Sequence, residues 1–195
     1  MSEDLLVDEQ VSKPEAVLSR LASRAMTFAV TRSDRAALID TSEAGMSQDG
    51  LVAALPSYYH TVSVVEIIDG RGIVPLSDEK SGLVVTGYSG SLEREDRLIV
   101  EQFVRGRALR GNRSERGLSI LVLSDSMPDG DAFVDPNRPW YNGPFSTDRS
   151  VWSMENQDSG PVIELTQYES RVGEGYVGGR RERAWVVKER HSFSD

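Results

Sequence analysis

The chain has 195 residues, a hydrophobic fraction of 38% and a formal charge of -9, which suits one ordinary core with elaborate loops. The excess of acid repels phosphate backbones and leaves no overall positive footprint for nucleic acid. With no cysteine and only two histidines, a disulfide framework, a thiol nucleophile, a zinc ribbon and a histidine-rich metal site are excluded.

Residues 1–11, MSEDLLVDEQV, form an acidic arm without the basic start and apolar run of a secretory signal. No stretch approaches the roughly 18 apolar residues of a membrane span. The expectation is a cytoplasmic protein, or one carried in a virion after assembly, with no membrane partner. Ser12 and Glu15 then read as a capping box. Behind them Val17, Leu18, Leu21, Ala22, Ala25, Met26, Phe28 and Ala29 recur at helical spacing, predicting a helix to about Thr31. A weaker helical piece, RAALID, follows, and Ser47 caps a short helix that Pro56 stops.

The period then changes to that of strands. Tyr59 to Ile68 is rich in β-branched and aromatic residues, and Asp69-Gly70-Arg71-Gly72 reads as the turn of a hairpin returning through Ile73 to Leu76. A further strand is predicted at Leu83 to Tyr88. Ser91 is the expected cap of an inserted helix, with Glu93, Glu95 and Asp96 in its first turn and Arg105, Arg107 and Arg110 in its last. Ile99 with Phe103 and Val100 with Val104 supply its buried stripe. Its arginines, Arg94, Arg97, Arg105, Arg107 and Arg110, together with Arg113 and Arg116 beyond it, are interleaved with acids and read as a solvated face. Leu118 to Ser124, Ser150 to Met154, Val162 to Val172 and Glu182 to Glu189 are the remaining strands.

These elements give an α+β expectation: a mostly antiparallel sheet with N-terminal helices, one helix inserted between strands, and the helices on one face. Residues 12–189 form a single domain with a long loop at 125–149, flanked by the acidic arm 1–11 and a polar C-terminal tail at 190–195.

The loop holds the densest chemistry. Asp125, Asp129, Asp131 and Asp135 are oxygen donors of the kind that suits calcium, although their spacing is not that of an EF-hand. Arg138, Trp140, Tyr141 and Phe145 follow as candidate ligand- or partner-binding residues. No other cofactor is expected.

Arg138-Pro139-Trp140-Tyr141 resembles the R-x-W-Y signature of Cache-type sensor domains. Val64 to Gly72 is similar to the strand and Asp-x-x-Gly turn of the same family. The resemblance covers these two segments and implies a small-ligand pocket lined by Arg138, Trp140 and Tyr141. Asp158-Ser159-Gly160-Pro161-Val162, with His60 upstream, is similar to the nucleophile segment of trypsin-like serine proteases, but Gln157 and Pro161 stand where that family has the glycines that shape its oxyanion hole. Gly173-Glu174-Gly175-Tyr176-Val177-Gly178 matches G-x-G-x-x-G between two strands, which is hairpin chemistry and not a dinucleotide turn.

Tyr58, Tyr59, Trp140, Tyr141, Phe145, Trp152 and Tyr176 are read as exposed loop aromatics, a composition favoured at protein interfaces. The expected function is a non-enzymatic structural or assembly subunit of a larger complex, such as a virus or phage virion component. It would dock on protein subunits, as a homo- or hetero-oligomer, through its loop and termini. The alternatives are a small-ligand sensor resembling Cache and a hydrolase of unidentified type, for which neither His60 nor His191 has a partner in the sequence.

Overall fold

The computed structural model describes residues 13–33, 36–71, 82–110, 119–128, 151–177 and 180–195. The first helix is α1 (Lys13–Arg32), followed by β1 (Ala36–Glu43), α2 (Gln48–Ala54), β2 (Tyr59–Ser63), α3 (Val64–Ile68), β3 (Gly82–Tyr88), α4 (Arg94–Arg110), β4 (Ser119–Ser124), β5 (Val151–Gln157), β6 (Val162–Val177) and β7 (Arg180–Phe193).

The strands form a seven-stranded sheet in the order β2-β3-β4-β1-β5-β6-β7. From β2 to β5 every pairing is parallel, and the β5–β6 and β6–β7 pairings are antiparallel. The expectation of helices on a sheet holds, but the sheet is mixed and not mostly antiparallel. The misreading has a physical origin in β1. Its residues Ala36 to Thr41 are all buried, because helices cover both faces of a parallel sheet and erase the alternation that marks a half-exposed strand. RAALID therefore carries no strand signature, yet Ala36 to Asp40 within it belong to the central strand of the sheet.

Helices occupy both faces, not one. Leu21, Ala22, Ala25, Met26 and Ala29 of α1 and Leu51 of α2 pack on Ala37, Ile39, Leu121, Leu123, Trp152 and Met154. On the opposite face Val64 and Ile67 of α3 and Val100 and Val104 of α4 pack on Ala36, Leu38, Val85, Ile120 and Val122. Consecutive β1 residues thus serve alternate cores. Trp152, expected on an exposed loop, is fully buried in the core on the α1 face and its indole Nε1 donates to Ser33 Oγ at 3.1 Å. Ile99, placed in the buried stripe of α4, is 40% exposed.

The predicted strand Tyr59 to Ile68 splits at Ser63. Ser63 Oγ accepts from the Glu66 amide at 3.2 Å while the Glu66 carboxylate accepts from the Ser63 amide at 2.8 Å. This reciprocal capping box turns a β-branched run into the helix α3. β2 then pairs in parallel with β3, so the expected hairpin from Tyr59 is replaced by a crossover. Residues 73–76, its other arm, lie outside the described residues.

Residues Arg190 to Phe193, expected as a tail, complete β7. The last residues are held by α1 of the same chain. Asp195 pairs with Arg20, Arg24 Nη1 donates to the Ser194 carbonyl at 3.3 Å, and the Phe193 ring meets Phe28 edge-on at 5.6 Å.

Candidate functional site

In a parallel sheet, neighbouring strands whose outgoing connections leave toward opposite faces open a crevice at their carboxyl ends. Among the described residues, β1 and the start of the connection after β4 meet this condition. β1 leads into α2, whose Leu51 belongs to the α1 face, whereas β4 leads to Met127, which packs on the α3/α4 face. The register brings Asp40 opposite Ser124 across β1 and β4, Ser153 opposite Asp40 across β5, and Tyr88 opposite Ser124 across β3. One row across four strands is therefore polar, directly beyond apolar rows.

The groups in this row and just above it are tightly interlocked. Thr41 Oγ1 donates to the Ser124 carbonyl at 2.9 Å, and the Ser42 amide donates to Asp40 Oδ1 at 3.0 Å. Ser124 Oγ donates to the Ser126 carbonyl at 2.6 Å, and Ser126 Oγ lies 2.9 Å from Asp125 Oδ1 and accepts from the Gly90 amide at 3.0 Å. The Asp125 amide donates to the Tyr88 carbonyl at 3.1 Å. Gln48, at the start of α2, spans the crevice. Its Nε2 donates to the Leu123 carbonyl at 3.3 Å and its Oε1 accepts from the Gly87 amide at 2.9 Å.

Two glycines allow the end of β3 and the loop after it to follow this course. Gly87 has φ of 79°, a conformation that L side chains rarely adopt. A Cβ on Gly90 would lie 2.7 Å from the Met127 carbonyl oxygen, so the loops after β3 and β4 touch through backbone.

Beneath the Gly90 loop, α4 buries a carboxyl. Glu101 is 2% exposed, and its Oε1 has no hydrogen-bond donor among the described residues. Burial pushes this carboxyl up to about 7, against the partial pull of the Arg97 guanidinium one turn earlier. Tyr88 is fully buried beside it, and burial followed by the Glu101 charge pushes its phenol above the ordinary range. Arg97, read from sequence as part of a solvated face, also reaches the Gly90 carbonyl at 3.4 Å. Elsewhere, burial and then the neighbouring Tyr58 push the Tyr59 phenol up to about 12.

The surface of the crevice carries Ser42, Glu43 and Asp125 exposed, with Asp40 8% exposed behind them. This rim is acidic and rich in hydroxyls. It can accept hydrogen bonds from ammonium or hydroxyl groups, and it opposes phosphate.

Of the residues singled out from sequence, Asp125 stands at this rim. Asp129, Asp131, Asp135, Arg138, Trp140, Tyr141 and Phe145 lie outside the described residues. Among the described residues no three His, Asp or Glu side chains converge to hold a metal ion. The segment Val64 to Ile68, compared with a Cache strand, is helical. His60 lies near the start of β2, while Asp158 and Ser159 lie in the turn after β5. Four strand spacings, roughly 19 Å, separate β2 from β5, so the protease-like residues do not meet. His191 is farther still, on β7, its ring tilted against Phe28 at 4.5 Å between centroids.

The sequence reading missed Asp40, Gln48 and the Gly87–Gly90 loop. The available signal was the abrupt polar step after each apolar run: LID-TSE, VVT-GYSGS and VLS-DS. It becomes informative only once the strands are known to be parallel, because that puts all three steps at one edge.

No family model, curated protein or solved structure matches the chain. No helix among the described residues is long and apolar enough to cross a membrane.

Proposed function

We propose that the chain is a small-molecule-binding domain whose site is the carboxyl edge of β3, β4 and β1. The supporting observation is the divergence of the β1 and β4 connections over a row of polar side chains, the position at which open parallel sheets take their ligands. The acidic, hydroxyl-rich rim favours a ligand bearing ammonium or hydroxyl groups. This agrees in kind with the sensor alternative drawn from the loop, but it moves the contact residues to Asp40, Ser42 and Asp125.

A thermal-shift screen of amines, polyols and nucleosides tests the reading. A ligand at about 100 times its dissociation constant stabilises by about 2.7 kcal/mol, several degrees for a domain of this size. Asp125→Asn should weaken such a ligand about tenfold, a loss of about 1.4 kcal/mol. A ligand whose affinity is indifferent to Asp125→Asn and Ser42→Ala overturns the assignment of the site.

A second reading, a non-enzymatic assembly subunit such as a virion component, is favoured by β7. Among the described residues it is one of the two edge strands of the sheet, the other being β2, and its Val187 is 41% exposed. Open edges pair with other chains. Light scattering decides this reading: a strictly monomeric chain across a wide concentration range removes it as a self-assembling subunit.

A further inference from the structure

Arg20, Arg24, Phe28 and Arg32 recur every fourth residue along α1 and therefore form one ridge on its surface. Ser23, Thr27 and Thr31 form the adjacent ridge. Between these rows and Phe193 at the end of β7 lies a groove of about 370 Å³, lined by Ser23, Arg24, Thr27, Phe28, Thr31 and Phe193.

The charges in this groove are out of balance with the molecule. The chain carries 31 acidic and 22 basic residues, so an exposed arginine is surrounded by an excess of candidate carboxylates. Arg20 takes one, Asp195. Arg24 and Arg32 pair with none among the described residues. Arg24 makes a 3.3 Å contact to the Ser194 carbonyl and stands 6.0 Å over the Phe193 ring, and Arg32 stands 5.3 Å over Phe28. Two exposed guanidiniums beside aromatic rings suit carboxylates.

Phe193 joins this groove to the end of β7, whose far side has no neighbouring strand among the described residues. We infer that the α1 ridge and the outer edge of β7 form a docking groove for an extended acidic segment of a partner protein. The inference rests on the docking reading of β7 and adds the chemistry of the partner. The segment adds to the sheet by main-chain pairing, and side chains of one face reach α1.

The spacing specifies the motif. Arg24 and Arg32 are separated by about 12 Å along the helix axis. In a strand, residues i and i+4 share a face and are separated by about 13 Å. Phe28 lies midway between the arginines. The matching segment is acidic-x-aromatic-x-acidic, with its aromatic side chain lying over the Phe28–Phe193 pair.

The experiment is fluorescence anisotropy of the full chain with a labelled nonapeptide containing Glu-Thr-Phe-Thr-Glu, beside Lys-Thr-Phe-Thr-Lys and an oligothymidylate of similar length. The glutamate peptide should bind at low salt, and weaken as salt rises. Arg32→Glu, an exposed change, should reduce its affinity at least about tenfold, and Thr27→Glu should do so independently. Equal binding of the glutamate and lysine peptides, indifference to both substitutions, or preference for the oligonucleotide overturns the inference. Self-association is read separately by light scattering: a monomer that binds the glutamate peptide sustains this inference while removing self-assembly, and an oligomer that fails to bind it does the reverse.

Discussion

In β4 every residue from Ile120 to Ser124 is buried, whereas in β7 Ala184, Val187, Lys188, Arg190 and Ser192 are exposed. Both strands belong to one sheet, but helices cover the first on two faces and the second stands at an edge. The parallel half holds most of the apolar burial, and its sequence has little freedom. The antiparallel half is pinned to it through β5 and is free to carry charge. Stability and recognition are therefore divided across the sheet, with the carboxyl-edge crevice in the constrained half and the cationic groove in the permissive one.

Substitutions in the two halves should separate widely. Trp152→Ala, at the junction, removes a fully buried side chain and its bond to Ser33 and should cost about 3–5 kcal/mol. Denaturant titration reads this as a lower midpoint. A loss below about 1 kcal/mol would mean that the two halves do not share one core.

The second substitution tests the buried carboxyl of the constrained half. Glu101 is raised to about 7 in the fold and returns to the ordinary carboxylate range near 4.3 on unfolding. The folded state thus holds an extra proton between these values. Its stabilising contribution is complete below about 4 and is lost as pH rises through about 7. Glu101→Gln should flatten this part of the stability profile and raise stability at pH 8 by about 3 kcal/mol or less. An unchanged profile would show that Glu101 is solvated.

The smallest effect is expected at the edge. Val187→Thr on β7 exchanges an exposed side chain and should stay within about 0.5 kcal/mol. A cost above about 1.5 kcal/mol would show that this edge is covered, and would close it to docking.

Local signals in the sequence were sound where one face of an element met water. The α1 stripe is buried or half-buried as its spacing predicts, Ser47 caps α2 by accepting from the Gly50 amide at 3.1 Å, and β6 and β7 pair as antiparallel strands, with Gly173 and Gly175 inside β6 instead of at a tip. The errors share a cause. β1 and Trp152 are buried on all sides, so neither period nor amphipathicity distinguishes them from a helix segment or a loop aromatic. For α3 the sequence did hold the answer in Ser63 and Glu66, but the β-branched run between them outweighed it. The candidate site was harder to read, since it depends on strand order, and Asp40, Gln48 and Ser124 are far apart along the chain.

Gln48 has a consequence for how this edge can move. Its amide nitrogen faces a carbonyl and its amide oxygen faces an N–H, so the group has a single permitted orientation. A carboxylate there would set lone pairs against the Leu123 carbonyl, and a rotated amide would break both bonds at once. The side chain works as a keyed latch between α2, β3 and β4. Any motion that draws Gly87 away from α2 breaks the bond from its amide to Gln48.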